Sequence, residues 1–160
     1  MTQEVDAPQT QWLDSDQQRI WRAFLGGTSA LFDRLDRDLR EHHNLSMPEY
    51  EILVRLSEAP DRTLRMAELA DAVSQSRSRT THTIARLENA GIVARSASPD
   101  DGRGVLAHLT SAGFDRLRTA AHTHVNGVRE YLVDAIGPDD LDVVGRAFEV
   151  VRRNLHGKPF

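Results

Sequence analysis

The sequence predicts a mainly α-helical protein with one small β-hairpin, arranged as a winged helix-turn-helix core with additional helices at both ends. Three observations lead to this fold class. Apolar residues recur at three- and four-residue spacing through most of the 160 residues. A helical segment rich in Arg, Ser and Thr covers residues 76–90. A turn-rich tip at residues 98–104 follows it and leads into alternating apolar residues that end at Thr110.

Composition limits the class of protein further. A chain of 160 residues can bury a stable hydrophobic core without the help of disulfides or a structural metal. It has no cysteine, which excludes disulfides, zinc ribbons and thiol-based redox sensing and fits a reducing cytoplasm. No apolar run reaches membrane-spanning length, and the acidic, polar start is unlike a secretory signal. The expected location is therefore the cytoplasm.

A first helix is expected over residues 15–42, after a flexible N-terminal arm. Ser15 and Gln18 have the spacing of a capping box. Gly26 and Gly27 interrupt the helical pattern, which indicates either a kink or close packing against another backbone. The apolar positions of this helix are Ile20, Trp21, Phe24, Leu25, Leu31, Phe32, Leu35 and Leu39.

The second helix has a strong start signal. Ser46 can cap it, Glu49 can complete the capping box, and Leu45 can pack onto Tyr50 as a hydrophobic staple. The helix should end at residues 59–61, where a proline follows an alanine.

A helix-turn-helix unit should follow a short strand at residues 62–64. Its first helix is expected over Met66–Ala72, although Arg65 is a poor N-cap. Ser76 caps the second helix of the unit, and Gly91 provides its left-handed stop. Residues 92–96 and Val105–Leu109 are predicted to be the two strands of the wing.

Two more helices complete the chain, which gives about six helices and one hairpin. Thr110 caps the fifth helix, and Gly137-Pro138 separates it from the last. The fifth carries an apolar stripe of Phe114, Leu117, Ala121, Val125, Val128, Leu132 and Ile136. The sixth has a near-heptad series of Leu141, Val144, Phe148, Val151 and Leu155.

The terminal helices predict a homodimer. The first, fifth and sixth helices each carry a wide apolar stripe, and one winged core cannot cover all three; the same helices of a second chain are the most economical partner. The alternative is that they pack on the core of their own chain. The expected organisation is an arm at 1–14, a dimerisation helix at 15–45, a winged helix-turn-helix core at 46–110 and C-terminal dimerisation helices at 111–160.

Charge is unevenly distributed along the chain. The formal net charge is −4, which by itself argues against nucleic-acid binding. Residues 74–95, however, contain four arginines and a single acid, Glu88, whereas residues 1–16 contain four acids and no Lys or Arg. DNA affinity depends on the charge that faces the phosphates rather than on the sum over the molecule.

The fourth helix and the wing tip carry the candidate DNA-binding side chains. Arginine can bind guanine edges, Ser and Thr can bind bases or phosphates, and an arginine at a hairpin tip can enter a narrow minor groove. The alternative is an ordinary solvated face, but such a face usually mixes signs, and residues 74–87 contain no acid. The candidates are Ser76, Arg77, Ser78, Arg79, Thr81, His82 and Arg86 on the helix, with Asp101 and Arg103 on the wing.

At these residues the chain resembles the MarR family of winged-helix transcription regulators. The similarity spans about residues 15–155 in motif order and helix count. The residues that carry it are Ala67-Glu68-Leu69-Ala70, Arg86-Leu87-Glu88-Asn89-Ala90-Gly91-Ile92-Val93-Ala94-Arg95, Pro99-Asp100-Asp101-Gly102-Arg103-Gly104-Val105, Leu109-Thr110 and Gly113.

The resemblance implies a homodimeric repressor that binds a pseudo-palindromic operator. The fourth helix would lie in the major groove and the wing arginine in the minor groove, and a small aromatic or phenolic effector would release the DNA. Two residues depart from the family pattern. His82 stands where Arg is common, and Thr80 stands where an aliphatic residue is usual.

Other classes of function have weaker signals. Trp12, Trp21, Phe24 and Tyr50 could line an aromatic effector pocket, with Arg22 or Arg116 for an acidic group, or they could simply pack in the core and the dimer interface. The histidines at 42, 43, 122 and 124 lack metal-ligand spacing, so no cofactor or metal is expected. We find no phosphate-binding glycine loop and no nucleophile motif of an enzyme. An architectural DNA-binding protein without an effector is the main alternative, and a metal-responsive regulator is a weaker one.

Overall fold

The computed structural model describes residues 10–73, 75–99 and 104–156. Its regular elements surround a helix-turn-helix unit and a small antiparallel sheet. In chain order they are α1 (Ser15–His43), α2 (Met47–Glu58), β1 (Thr63–Arg65), α3 (Met66–Ala72), α4 (Arg77–Asn89), β2 (Val93–Ala97), β3 (Val105–Leu109), α5 (Ser111–Val128) and α6 (Pro138–His156). This confirms the fold class predicted from the sequence.

Three helix starts form as the sequence predicts. Ser46 caps α2 as half of a capping box in which Glu49 Oε2 accepts a hydrogen bond from Ser46 N at 2.7 Å. Ser76 caps α4 by accepting from Arg79 N, and Thr110 caps α5 by accepting from Gly113 N. These side chains satisfy backbone donors that the first turn of a helix leaves without partners.

The predictions for α1 need two corrections. Asp14, rather than Ser15, is the N-cap, because its carboxylate accepts from Gln17 N at 2.8 Å while the Gln17 side chain accepts from Asp14 N. The helix also continues unbroken through Gly26 and Gly27. A Cβ atom at either glycine would meet no atom of the described chain within 4 Å, so no close packing occurs there within this chain.

The wing is larger than the hairpin that the sequence predicts. β3 lies at the centre of a three-stranded antiparallel sheet with the strand order β1-β3-β2. His108 on β3 joins all three strands: its Nδ1 lies 2.8 Å from Thr63 Oγ1 on β1 and its Nε2 lies 2.6 Å from Ser96 Oγ on β2. The base of the wing is therefore tied together by side chains as well as by the backbone.

The fifth helix ends earlier than its apolar stripe predicts. A π-helical turn at Arg129–Val133 follows Val128 and interrupts the regular spacing that was expected to continue to Ile136. Within this turn Tyr131 donates a hydrogen bond to the buried carboxylate of Asp38 on α1, at 2.8 Å. Arg34 pairs with the same carboxylate at 3.1 Å. The turn thus fastens the end of α5 to α1.

The core lies where α2, α3, α4 and the sheet meet the end of α1 and the first part of α5. The start of α5 approaches the beginning of β2 so closely that a Cβ at Gly113 would lie 2.1 Å from Ile92 O. Thr110 strengthens this contact by donating to Gly91 O at 2.8 Å. The largest fully buried side chains are Leu39, Leu45, Ile52, Leu53, Leu56, Leu69, Ile84, Leu87, Val93 and Thr80.

A second apolar surface lies outside this core. Phe24 of α1 faces Phe148 of α6 with their ring centroids 5.3 Å apart, and Trp21 stacks on Phe24. Much of this surface remains exposed, including half of Trp21 and most of Leu155. Among the described residues, no helix has the length and apolar character needed to cross a membrane.

Candidate nucleic-acid interface

The helix α4 is fixed to the core by one face. Ile84 and Leu87 are fully buried, as is Thr80, so this face cannot contact a ligand. The tight connection from α3 places the N-terminus of α4 at the surface, where the helix dipole and the free N–H groups of the first turn favour anions. The spacing of these three residues, at i, i+4 and i+7, is that of one face of a helix and predicts this orientation.

The exposed face of α4 brings six of the predicted side chains together. Within the described part of the chain, neither Arg77 nor Arg79 has a carboxylate partner. Thr81 donates its hydroxyl hydrogen to Arg77 O at 2.8 Å, which leaves its oxygen able to accept from a ligand. The exposed set consists of Ser76, Arg77, Ser78, Arg79, Thr81 and His82.

A concave surface of about 420 Å³ adjoins this face, between the starts of α3 and α4 and the base of the wing. Arg65, Arg77 and Arg95 line it, so three guanidinium groups border the same concavity. We call it the three-arginine groove; its other lining residues are Met66, Ala67, Thr81, Gly104 and Val105. Sequence reasoning missed Arg65 and Arg95 as members of the site. Strand alternation gives no signal for Arg95, because it lies two residues after the buried Val93 and residues 94–97 of β2 are all exposed.

Arg95 is held in this groove by the single acid of residues 74–95. Two of its guanidinium nitrogens donate to Glu88 Oε2, at 2.5 and 2.9 Å. This hydrogen bonding raises the pKa of Arg95 and lowers the pKa of Glu88. Glu88 lies near the C-terminal end of α4, so the first turns of the helix keep an uncompensated positive charge.

Three predicted site residues differ from the rest or cannot be placed. Arg86 is exposed, but its Nη2 donates to Glu49 Oε1 at 2.7 Å, so part of its charge is used within the protein. Asp101 and Arg103 lie outside the described residues. Their role at the wing tip therefore stays a prediction.

The four aromatic residues predicted to line one pocket do not come together. Trp21 and Phe24 line an apolar groove of about 460 Å³ between α1 and α6, whereas Trp12 and Tyr50 are not among its lining residues. Trp12 is 85% exposed before α1, and Tyr50 is buried against His124 of α5 with ring centroids 4.6 Å apart. The helical spacing of α1 joins two of the four residues, and the packing of α2 on α5 separates Tyr50 from them.

Two of the remaining polar candidates, Arg116 and His43, serve structural contacts. Arg116 donates to His43 O at 2.5 Å, and His43 bonds Thr123 Oγ1 at 2.6 Å, which joins the end of α1 to α5. Burial lowers the pKa of His43 first of all, and the positive charges of His42 and Arg116 lower it further. Among the described residues no three His, Asp or Glu side chains come together as a metal site would require.

Comparisons with known proteins agree with this geometry. The family model for the MarR family matches residues 45–105. An uncharacterized HTH-type transcriptional regulator of Bacillus subtilis, YfiV, is 32% identical over 147 residues, which are 89% of this chain and 87% of that protein. The HTH-type transcriptional repressor Rv2887 of Mycobacterium tuberculosis is 41% identical over 69 residues, 43% of this chain and 48% of the repressor.

A solved structure covers almost the whole chain. Sco3205, a MarR family transcriptional regulator from Streptomyces coelicolor crystallised in complex with DNA, superimposes with a TM-score of 0.90. The two chains share 37% identity, and the superposition covers 94% of each.

Proposed function

This chain belongs to the MarR family of DNA-binding transcription regulators, and from that premise we propose that it is a homodimeric repressor that reads a two-fold symmetric operator through the start of α4. The family is one of transcription regulators and not of enzymes. Repression is the activity that the name of the mycobacterial relative states for that protein. A cytoplasmic location stays a prediction.

One observation carries the assignment of the reading surface. The first two turns of α4 expose Arg77 and Arg79 without a carboxylate partner in the described structure, and they adjoin the three-arginine groove. In helix-turn-helix proteins the N-terminal residues of the second helix contact base edges in the major groove. We assign Ser76, Ser78, Thr81 and His82 to the same contact and Arg103, with Asp101, to the minor groove.

Unpaired apolar surface supports the homodimer. On α1 and α6 large apolar side chains remain exposed, with Trp21 at 50%, Phe32 at 54% and Phe148 at 43%. Contiguous apolar patches of this kind mark interaction surfaces, and a second copy offers the same faces in two-fold symmetry. The two α4 helices of such a dimer would contact half-sites about one helical turn of DNA apart.

The reading surface is tested by arginine substitution. We expect Arg77→Ala and Arg79→Ala each to weaken binding to a duplex that the unmodified protein selects from a random-sequence library. If each arginine neutralises one phosphate, the slope of log affinity against log salt should decrease by about one. Fluorescence anisotropy at several salt concentrations measures both quantities.

The matched control is Arg19→Ala, which removes an exposed arginine from α1 that pairs with Asp16. It should leave both the affinity and the slope unchanged. If both α4 variants keep the salt slope of the unmodified protein, the assignment of the exposed face of α4 to DNA is refuted.

We also propose that a small aromatic acid releases the duplex, as the family resemblance implies. The apolar groove between α1 and α6 supports this, because Trp21, Phe24 and Phe148 offer ring surfaces there. Titration with a hydroxybenzoate should change tryptophan fluorescence and weaken duplex binding together. Duplex binding that is insensitive to a panel of such acids would instead favour an architectural DNA-binding protein without an effector.

A further inference from the structure

A buried carboxylate holds the C-terminal half of α4 in place. The side chain of Glu49 is only 6% exposed, and its Oε1 accepts from Arg86 Nη2 at 2.7 Å. Its Oε2 accepts from both the backbone N and the hydroxyl of Ser46, each at 2.7 Å. Every oxygen of the carboxylate is therefore used, and a shift of α4 would break a charge-assisted hydrogen bond.

The same start of α2 is bonded to α1. Asp36 Oδ1 accepts from Met47 N at 2.7 Å, and Asp36 Oδ2 accepts from Arg40 at 2.5 Å. Burial acts to raise the pKa of Asp36, but the hydrogen bonds from Arg40 and Met47 outweigh it and lower the pKa overall. A continuous set of polar contacts thus runs from α1 through the first turn of α2 to α4.

The position of Arg86 along α4 separates it from the proposed reading surface. Arg86 comes nine residues after Arg77, which is roughly 14 Å along a helix that rises 1.5 Å per residue. Base edges are read from the N-terminal end of such a helix. The guanidinium of Arg86 is therefore at the far end, and it already faces a buried negative charge.

We propose that Glu49 is a positioning residue for DNA reading: through Arg86 it fixes the tilt of α4 against α1 and α2. Arg86 then contributes to operator choice through this contact and does not neutralise a phosphate. The proposal rests on the proposed function, because it requires α4 to be the reading helix. It differs from the sequence-based prediction, which groups Arg86 with the residues that touch DNA.

The test uses Glu49→Gln, Arg86→Met and the double variant. Each is measured on the duplex selected by the unmodified protein and on a shuffled duplex of the same composition. We expect both single variants to lose about 2- to 30-fold in affinity for the selected duplex, the range typical of mutations that act through a network without touching the ligand. Affinity for the shuffled duplex and the salt slope should stay at parental values.

The double variant should bind no worse than Arg86→Met alone, because each substitution breaks the same contact. If Arg86→Met fails to fold because it leaves the buried Glu49 carboxylate without its partner, the double variant, which carries no such charge, is compared with Glu49→Gln instead. The control pair is Asp115→Asn and Arg118→Ala, an exposed ion pair on α5 with a separation of 3.5 Å. These substitutions should change neither the affinity for the selected duplex nor the affinity for the shuffled duplex.

Three results would overturn the proposal. A salt slope reduced by about one in Arg86→Met, with parental binding by Glu49→Gln, would make Arg86 a phosphate contact. A lower unfolding midpoint with an unchanged ratio of selected to shuffled affinity would leave the pair a purely structural role. Failure of the unmodified protein to select any sequence would instead refute the proposed function, and this inference with it.

Discussion

The hydroxyl of Thr80 is buried without a hydrogen-bond partner among the described residues. The sequence marked this position as unusual, because the residue faces the core from α4 where an aliphatic side chain is expected. Burying a hydroxyl without a compensating hydrogen bond costs free energy, since the group loses its bonds to water. The Thr80 hydroxyl therefore lowers the stability that the packing of α4 contributes.

We predict that Thr80→Val raises the free energy of unfolding by about 1 kcal/mol, because a methyl group replaces the unpaired hydroxyl. Urea denaturation monitored by circular dichroism measures the change. Thr83→Val is the matched control on the same helix, where the hydroxyl donates to Arg79 O at 3.0 Å and its removal should bring no gain. Equal effects of the two substitutions would contradict the explanation.

At the scale of single residues, the sequence indicated which side chains of α4 face the core. It did not indicate which side chains pair with each other. The spacing of Thr80, Ile84 and Leu87 was enough to orient α4. The partner of Arg86 was not predictable, because Glu49 is 37 residues away in the sequence and reaches it only through packing of α2 on α4. A list of exposed arginines does not separate those that pair within the protein from those that remain available.

At the scale of elements, local signals predicted most boundaries. Neighbouring residues were enough to predict the N-caps Ser46, Ser76 and Thr110. They also predicted the left-handed stop at Gly91, whose φ is 70°. The strand at residues 62–64 was predicted, but its pairing with β3 was not, and neither was the π-helical turn. β1 pairs with β3 across some 45 residues, and the turn at Arg129–Val133 is fastened by Tyr131 to Asp38 on a distant helix.

The contact between α5 and β2 gives a prediction at this scale. We expect Gly113→Ala to lower the free energy of unfolding by about 2–3 kcal/mol, because the new methyl group would overlap the backbone carbonyl of Ile92, which cannot move independently. Thermal and urea unfolding measure it. The control is Gly145→Ala on α6, which should not lower the free energy of unfolding, because its methyl group meets no atom of the described chain within 4 Å. Parental stability of Gly113→Ala would show that α5 can shift without cost.

At the scale of the whole molecule, the sequence predicted where apolar surface lies but not what covers it. The sequence placed apolar stripes on the first and last helices, and the structure of one chain leaves large parts of both exposed. Packing within the chain, the alternative considered, covers only part of α6, through the contact of Phe24 on α1 with Phe148. Local patterns do not predict what covers the rest, because association depends on a second surface.

We predict that a chain ending at Ile136 loses dimerisation, since the truncation removes the whole of α6. The variant Phe148→Asp should weaken dimerisation in the full chain, because it places a charge in the apolar groove. Sedimentation equilibrium at micromolar concentration measures both. Arg146→Ala, which removes an exposed ion pair with Asp142 on the same helix, is the control and should stay dimeric. A dimeric truncated chain would contradict the assignment of α6.

Few side chains could replace the imidazole that joins the three strands of the wing. Its two ring nitrogens reach hydroxyls on opposite sides, Thr63 on β1 and Ser96 on β2. A side chain with a single polar end could span only one of these two gaps. A change at this one position would therefore remove the side-chain link to an outer strand, and with it part of the stiffness with which the wing is mounted.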